Sequence, residues 1–224
     1  MLRLTLFAKC PLPGHVKTRL CPPLTRQQAA ALHEAFVTDQ LGMLAGFSGR
    51  CELELCADGS WVPPNPPAGL RVTRQGPGDL GARLERHFAG GTARGLEGTV
   101  VVGADAPTLP AGIVAAALAA LAGGAPAAVS PAADGGYTLI AMRSPLALLL
   151  REIPWGGPRV LETTVERARE AGIELRLLEG WYDVDDAPAL KRLAAELAQP
   201  AALARAPATA AALRLLDSAT ESML

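Results

Sequence analysis

Short apolar runs alternate with longer segments of helical periodicity along most of the chain. The run Leu2–Ala8 predicts a first strand, and residues 99–102 predict a central parallel strand buried on both faces, because they are β-branched. Apolar residues three and four apart predict a helix from an N-cap at Thr25 to about Ala45. Similar patterns predict strands at 51–56, 70–74, 127–130, 137–142 and 173–178, and helices at 79–88, 112–122, 158–171 and 187–197. This alternation predicts an α/β fold with a mostly parallel sheet and helices on both faces.

The pattern changes near the C-terminus, where the sequence becomes rich in alanine from Pro200 onward. We therefore predict one domain over residues 1–198 and a C-terminal helix or tail over residues 199–224. No internal repeat is visible in either part. The tail leaves a homodimer open as an alternative to a monomer.

Composition narrows the function classes. The formal net charge of the 224 residues is -1, which argues against a general nucleic-acid binder. The uncharged stretch 106–133 is broken by prolines and glycines, and its helical part is far shorter than the ~20 residues of a membrane span. Arg3 interrupts the first apolar run, which therefore does not resemble a signal peptide. Four cysteines without metal-ligand spacing predict free thiols, so a cytoplasmic location is expected.

A basic loop follows the first predicted strand, over residues 7–20. In an open α/β sheet this loop lies at the carboxyl edge, where ligands bind. It contains Lys9, Lys17 and Arg19 together with Gly14, which allows a tight turn. The chain has only 3 Lys against 18 Arg, and two of the three Lys lie here. The loop therefore predicts binding to nucleotide phosphates, with a merely solvated loop as the alternative.

Carboxylates at two strand ends predict a metal site. Asp105 follows the apolar strand 99–102 directly, and a carboxylate in that setting needs a cation or hydrogen-bond donors. Two prolines delay the next helix, so capping explains Asp105 poorly. Asp183 and Asp185 share one face of an extended segment, while Asp186 is the predicted N-cap of the helix that follows. We predict that Asp105, Asp183 and Asp185 bind Mg²⁺ or Mn²⁺.

A glycine turn lies between the predicted strands 127–130 and 137–142. Asp134, Gly135 and Gly136 either form a simple hairpin or let a ligand approach the backbone, with Asp134 binding an acceptor hydroxyl or acting as a base. Trp155 either lines a pocket or packs in the core. The predicted acceptor-binding set comprises Asp134, Gly135, Gly136, Tyr137 and Trp155. His33 and His87 lie on helical patterns and are interpreted as structural.

Six segments together carry a family resemblance. They are Phe7-Ala-Lys-x-Pro-x-Pro-Gly-x-Val-Lys-Thr-Arg-Leu20, Gln75-Gly-x-Gly-Asp-Leu-Gly-x-Arg83, Gly103-x-Asp105-x-Pro107-x-Leu109, Asp134-Gly-Gly-Tyr137, Pro154-Trp155 and Asp183-Val-Asp185. Their order and content resemble the bacterial DUF2064 family, which is described as glycosyltransferase-like and similar to 2-phospholactate guanylyltransferase. The resemblance covers about residues 2–198, and the first segment is the most specific.

The resemblance implies a GT-A-like (Rossmann-like) fold of the nucleotide-diphospho-sugar transferase superfamily. It implies that Lys9, Lys17 and Arg19 face the phosphates and that Asp105 holds the metal, with Asp185 and Asp183 opposite. The segment 75–83 would complete the nucleotide pocket. The nucleotide-binding set is then Lys9, Gly14, Lys17, Arg19, Gln75, Gly76, Asp79 and Arg83.

Three functions remain open at this point. The first is transfer of a sugar from a nucleotide sugar to a small acceptor, with Lys17, Asp105 and Asp134 acting in the reaction. The second is nucleotidyl transfer (guanylyl or cytidylyl) from a nucleoside triphosphate to a phosphorylated small molecule. The third is a non-catalytic nucleotide-binding module, which the presence of Asp105 disfavours. The expected partners are a nucleotide or nucleotide sugar and a small acceptor, with no nucleic acid and no membrane.

Overall fold

A seven-stranded sheet forms the centre of the protein, with the strand order β3-β2-β1-β4-β6-β5-β7. The structure, a computed structural model, describes the backbone of residues 1–221 and the side chains of residues 1–216, so the last three residues of the predicted tail lie outside it. The strands are β1 (Leu2–Ala8), β2 (Cys51–Ala57), β3 (Arg71–Arg74), β4 (Gly98–Gly103), β5 (Ala127–Pro131), β6 (Tyr137–Met142) and β7 (Leu175–Leu177).

The sheet is mostly parallel. Strand β1 pairs in parallel with both β2 and β4, β2 pairs in parallel with β3, and β5 with β7. Strand β6 runs antiparallel to β4 and β5, because the predicted glycine turn folds β5 and β6 into a hairpin. Strand β4 is central and buried, as predicted, but only one of its two neighbours is parallel. The predicted α/β fold class is confirmed.

Helices cover both faces of the sheet. Leu4 and Leu6 of β1 pack with α1 (Arg26–Ala45) and α3 (Ala111–Ala122) on one face. Phe7 and Val101 pack with α2 (Leu80–Ala93) and α4 (Val160–Glu170) on the other. No helix within residues 1–221 is both long and apolar enough to cross a membrane. Further helices are α5 (Ala187–Leu197), α6 (Pro200–Arg205) and α7 (Pro207–Glu221).

Local sequence explains where several helices begin, and less well where they end. Thr25 caps α1 through a reciprocal capping box with Gln28, and Asp186 caps α5, both as predicted. The predicted end of α2 near Phe88 is wrong, because the helix continues to Ala93. A side chain at Gly91 would approach Arg3 and Thr99 to 2.8 Å, so the glycine lets α2 lie close to the sheet.

The alanine-rich tail packs against α1. The Asp39 carboxylate accepts hydrogen bonds from the backbone N–H groups of Ala208 at 2.9 Å and Thr209 at 2.7 Å, so α1 caps the start of α7. Ala202 and Ala206 are buried in the cluster that also contains Leu32 and Phe36 of α1. The described part of the tail thus adds a layer outside α1. The predicted domain boundary at residue 198 stays a prediction.

Candidate active site

A cavity of about 500 Å³ opens at the carboxyl ends of β1 and β4. This is the edge at which open α/β sheets bind ligands. The loop after β1, the start of α2 and the segment after β7 contribute its walls. Six of the predicted nucleotide and metal residues line it, namely Lys9, Lys17, Gln75, Arg83, Asp105 and Asp185.

The Lys17 ammonium lies between two of the predicted metal ligands. Its Nζ atom donates to Asp185 Oδ1 and to the Val184 carbonyl, both at 2.8 Å, and forms an ion pair with Asp105 Oδ1. The Val184 N–H donates to the Asp105 carbonyl at 2.8 Å, which fixes the two acidic segments side by side. The structure therefore brings Asp105 and Asp185 together, and Lys17 forms an ion pair with each of them.

Charge and burial oppose each other at this ion pair. Burial alone would lower the pKa of Lys17, but Asp105 and Asp185 outweigh it and raise that pKa above its usual value. Burial alone would raise the pKa of Asp105, but the Lys17 ammonium holds it below its usual value. Both carboxylates keep close to half of their side-chain surface exposed to the cavity, at 45% and 44%.

The same carboxylates fit a divalent cation. Their Oδ1 atoms already converge on one positive charge, and carboxylate oxygens are the ligands that Mg²⁺ and Mn²⁺ prefer. An ion placed between Asp105 and Asp185 requires the Lys17 ammonium to move away. Lys17 would then be released toward the cavity, where the phosphates of a nucleotide could bind it.

His33 belongs to this site, although its helical pattern predicts only a structural role. Its Nε2 atom lies 3.0 Å from the Lys9 carbonyl, which can only accept a hydrogen bond, so Nε2 carries the proton. The Nδ1 atom is then a bare lone pair, buried without a hydrogen-bond partner among the described residues, and lies 3.8 Å from Asp105 Oδ1. Burial lowers the pKa of His33 and favours this neutral form. Sequence spacing gives no signal for this contact.

A second cavity, of about 220 Å³, adjoins the first. Asp105, Tyr137 and Trp155 line both cavities, and the two aromatic rings meet edge to face with their centroids 6.0 Å apart. Asp134 and Asp183 line the second cavity but not the first. None of the described residues that line the second cavity is Lys or Arg. The structure therefore places most of the predicted acceptor set next to the predicted metal ligands.

Asp183 lies apart from the Lys17 ion pair and carries unusual electrostatics. Burial, followed by the negative charges of Asp134 and Asp185, raises the pKa of the Asp183 carboxyl to about 6. A carboxyl with this pKa releases its proton just below neutral pH. Asp183 can therefore bind a hydroxyl group or accept a proton from it near neutral pH.

Replacing Asp183 with Asn tests this environment. The folded-state pKa of about 6 exceeds the ordinary 3.8, so the folded state holds the proton more tightly and the stability of the wild type falls as pH rises through this window. We expect the Asn variant to melt at a higher temperature than the wild type at pH 7.5, and at nearly the same temperature at pH 4. Melting curves across this pH range measure the difference. A difference that does not change with pH would contradict the raised pKa.

Other predicted residues have structural partners. Asp79 caps α2, where its carboxylate accepts from the Ala82 N–H at 2.8 Å. Gln75 is buried, and its Nε2 donates to the carbonyls of Ala8 and Cys56, which ties the ends of β1 and β2 together. Arg83 donates to the Gly78 carbonyl at 2.7 Å. Gln75 and Arg83 still line the main cavity, whereas Asp79 does not.

Five predicted residues line neither cavity, namely Asp79, Arg19, Gly14, Gly76 and Gly135. Arg19 faces a separate cleft of about 360 Å³, whose other walls include Asp134, Asp183 and Asp185. Gly14, Gly76 and Gly135 adopt positive φ angles and shape their turns. Their direct contact with a nucleotide or acceptor stays a prediction.

One compact group of potential metal ligands occurs elsewhere in the described chain. Glu54, Cys56 and His87 lie on the α2 face of the sheet, with ligand atoms within 4.8 Å of one another. The Arg3 guanidinium donates to Glu54 Oε2 at 3.2 Å and is itself buried. A fixed positive charge inside the group disfavours a cation there. The predicted metal ligands Asp105, Asp183 and Asp185 do not form such a compact group, because Lys17 separates two of them and Asp183 faces the second cavity.

Known structures share this architecture. A candidate nucleotide-diphospho-sugar transferase from Desulfovibrio desulfuricans G20 is 32% identical with a TM-score of 0.86, over 97% of this chain and 95% of that chain. CMP:2-keto-3-deoxy-manno-octonic acid synthetase, bound to CTP, is 14% identical with a TM-score of 0.55, over 88% and 98% of the two chains. At such low identity the second match shows the fold alone.

A third similar structure is glucosyl-3-phosphoglycerate synthase from Mycobacterium tuberculosis, in complex with Mn²⁺, UDP and glucosyl-3-phosphoglycerate. It is 15% identical with a TM-score of 0.51, over 92% of this chain and 80% of that chain. No curated protein is significantly similar in sequence. Residues 46–157 match the family described as uncharacterized proteins conserved in bacteria (DUF2064). Because this match spans half of the chain and agrees with the relative from Desulfovibrio, the chain belongs to the DUF2064 family.

Proposed function

We propose that this protein is a metal-dependent transferase that moves a sugar from a nucleotide sugar to a hydroxyl group of a small acceptor. The observation that carries the proposal is the pair of adjoining cavities that share Asp105. The larger cavity contains ammonium and guanidinium groups, whereas the smaller one adds Asp134 and Asp183 and has no Lys or Arg among its described lining residues. A donor bound in the first would present its reacting end to an acceptor bound in the second.

The larger cavity suits the donor. Its volume of about 500 Å³ lies within the range of sites for small organic ligands. Lys9 is exposed there and Arg83 lines the wall, so two cations are available to a diphosphate while Lys17 is still paired. Asp105 and Asp185 would hold Mg²⁺ or Mn²⁺, whose positive charge stabilises the diphosphate that leaves. Lys17, once displaced, would add a third cation on the same side.

The smaller cavity suits a hydroxyl-bearing acceptor. Asp134 and Asp183 can accept hydrogen bonds from hydroxyl groups, and the Trp155 and Tyr137 rings can pack against the face of a sugar. The pKa of about 6 lets Asp183 act as a base near neutral pH. With several carboxylates and no Lys or Arg in its described lining, this cavity would repel a phosphorylated acceptor.

Nucleotidyl transfer is the second candidate. The observation in its favour is the cluster of Lys9, Lys17 and Arg83 in one cavity, because a triphosphate needs more cations than a diphosphate. Arg19, which we expected to be a further phosphate ligand, faces the acidic cleft instead. The acidic lining of the second cavity also disfavours the phosphorylated acceptor that this reaction would use.

A ligand screen by thermal shift tests the proposal. Nucleoside triphosphates and nucleotide sugars are compared, each with and without Mn²⁺, in the wild type and in Asp105→Asn. A ligand at a hundred times its Kd stabilises the folded state by about 2.7 kcal/mol. We expect the largest stabilisation with a nucleotide sugar plus Mn²⁺, and we expect Asp105→Asn to lose the part that depends on metal.

The matched control is Glu174→Gln, which removes an exposed carboxylate paired with Arg176, away from the cavities. It should respond to ligands as the wild type does. A larger response to a triphosphate than to the matching nucleotide sugar would favour nucleotidyl transfer. If no ligand raises the melting temperature of the folded wild-type protein, both proposed reactions are contradicted and the non-catalytic alternative remains.

A further inference from the structure

A polar pocket lies on the α2 face of the sheet, between α2, the edge strand β3 and its neighbour β2. Its volume is about 170 Å³, well below the range typical of sites for larger organic ligands. Five arginines line it, namely Arg3, Arg71, Arg74, Arg86 and Arg94. We call it the arginine pocket.

The positive charge of the arginine pocket exceeds the negative charge that the protein supplies. Glu54 is the one carboxylate among its described lining residues, and both of its oxygens are occupied, one by Arg3 and one by Thr73. Arg94 is bound to Glu52 through two hydrogen bonds of 2.6 and 2.5 Å. The carboxylates are therefore satisfied by Arg3 and Arg94, and the other arginines contribute unbalanced charge.

The remaining arginines keep donors free for a ligand. Arg71 approaches Glu54 only at 3.9 Å, and half of its side-chain surface is exposed. Arg74 donates from one nitrogen to Ser60, while Arg86 donates to the carbonyls of Gln75 and Pro77. A guanidinium has five N–H donors in a planar fork that matches the oxygens of a phosphate. Arg71 from β3 and Arg86 from α2 thus offer donors from two sides of one small space.

The rest of the lining is neutral. Burial lowers the pKa of His87 to about 3, and burial raises the pKa of the Cys56 thiol to about 11. Neither group adds or removes charge near neutral pH. The excess positive charge therefore comes from the guanidinium groups alone.

We propose that the arginine pocket is a second binding site, specific for a small oxyanion of the phosphate class. The pocket accommodates one tetrahedral anion or a phosphoryl group on a small stem. Gln75 lines both this pocket and the main cavity, so the anion would lie directly behind the segment that Arg86 anchors. The site is separate from the two cavities assigned to the donor and the acceptor, and it does not depend on the proposed reaction.

Calorimetric titration with inorganic phosphate, at constant ionic strength in chloride buffer, tests the proposal. We expect saturable binding to the wild type, weakened about tenfold or more in the double variant Arg71→Gln, Arg74→Gln, because charged hydrogen bonds are lost. Both positions are exposed on the edge strand, and melting curves check that the variant folds. The matched control is Arg169→Gln, Arg176→Gln, which removes two exposed arginines elsewhere and should bind phosphate as the wild type does.

Lys9→Gln separates this site from the main cavity. If Lys9→Gln binds phosphate as tightly as the wild type, the result supports the arginine pocket. If Lys9→Gln loses phosphate binding while the Arg71→Gln, Arg74→Gln variant keeps it in full, the phosphate binds in the main cavity and the proposal is overturned. Absence of saturable binding to the wild type also overturns it. Titration with glycerol phosphate distinguishes a free phosphate ion from a phosphoryl group carried on a small molecule. Tighter binding of glycerol phosphate than of inorganic phosphate indicates the phosphoryl group, and weaker binding indicates the free ion.

Discussion

Replacing Lys17 with Met is expected to increase the affinity of the protein for free Mn²⁺ by about tenfold or more, while weakening diphosphate binding. The Lys17 ammonium forms three contacts, with Asp105, Asp185 and the Val184 carbonyl, at the place where the metal would bind. Each hydrogen bond to a charged group contributes about 1.5–3 kcal/mol, and a metal ion entering the wild-type site must replace them. Methionine keeps the length of the side chain and removes the competing charge.

The same substitution should make stability depend on metal. Without a divalent ion, Asp105 and Asp185 would face each other without a cation, and breaking a buried ion pair costs about 3–5 kcal/mol, less here because both carboxylates are partly exposed. We expect Lys17→Met to melt below the wild type in a chelator and to recover with Mn²⁺. Electron paramagnetic resonance titration of free Mn²⁺ and calorimetric melting measure the two effects.

Lys9→Met is the matched control for Lys17→Met. Lys9 lines the same cavity but is exposed, so its removal should leave the affinity for free Mn²⁺ nearly unchanged and weaken only phosphate binding. Equal or weaker Mn²⁺ binding by folded Lys17→Met, relative to the wild type, would show that the metal does not bind between Asp105 and Asp185. If Lys17 contacts only the phosphates and does not compete with the metal, Lys17→Met should not gain affinity for Mn²⁺.

Replacing Gly135 with Ala is expected to cost about 3 kcal/mol of folding free energy or more, because two penalties add. The residue has φ +90°, and a Cβ atom there would lie 2.0 Å from the Pro158 carbonyl oxygen. The Gly135 carbonyl also accepts from the Leu161 N–H at 2.9 Å, at the start of α4. At roughly 2–4 °C per kcal/mol for a chain of this size, the melting temperature should fall by about 6–12 °C.

Gly156→Ala separates backbone strain from the clash. Gly156 has φ +76°, but no described atom beyond its two chain neighbours lies within 4 Å of the position a Cβ would take, so only the conformational cost of about 1–2 kcal/mol is expected. Differential scanning calorimetry of the two variants and the wild type measures the difference. Similar losses in both variants would argue against the close packing of Gly135 on Pro158. Displacement of the turn should also disturb the second cavity, because Asp134 and Gly136 line it.

Several site features could be predicted from sequence because they depend on short-range chemistry. Asp105 follows the end of β4 and lies in the cavity, since an apolar strand that ends in an acid at the carboxyl edge of a sheet has few other interpretations. Asp185 lies beside it, at the place predicted for the other side of a metal site, whereas Asp183, predicted to share its face, lines the second cavity. Lys9 lines the same cavity because the loop that follows β1 reaches this edge. The nucleotide-binding residues of the segment 75–83 were predicted only from the resemblance to DUF2064.

Other features had no signal in the sequence. The Lys17 ammonium contacts Asp185 across 168 positions of the chain, and only the closed sheet brings the two together. His33 lies at the site because one face of α1 packs against the loop after β1, where His33 contacts the Lys9 carbonyl. Helical periodicity alone does not specify which face of α1 packs there. Arg19 was grouped with the lysines because it is near them in sequence, but the short turn at Thr18–Leu20 directs it into the acidic cleft.

The sequence by itself determined the elements and the edge of the sheet at which the main cavity opens. Strand and helix formation respond to patterns of a few residues, as do the caps at Thr25 and Asp186. The tertiary structure alone decided which charges neutralise one another and which remain free for ligands. That outcome depends on distances of 3 to 4 Å between segments far apart in the chain, and the electrostatic energy of such contacts changes steeply with distance and burial. For this reason Lys17, predicted as a phosphate ligand, lies between the predicted metal ligands, and the arginines of β3 and α2 meet around a pocket that no motif indicates.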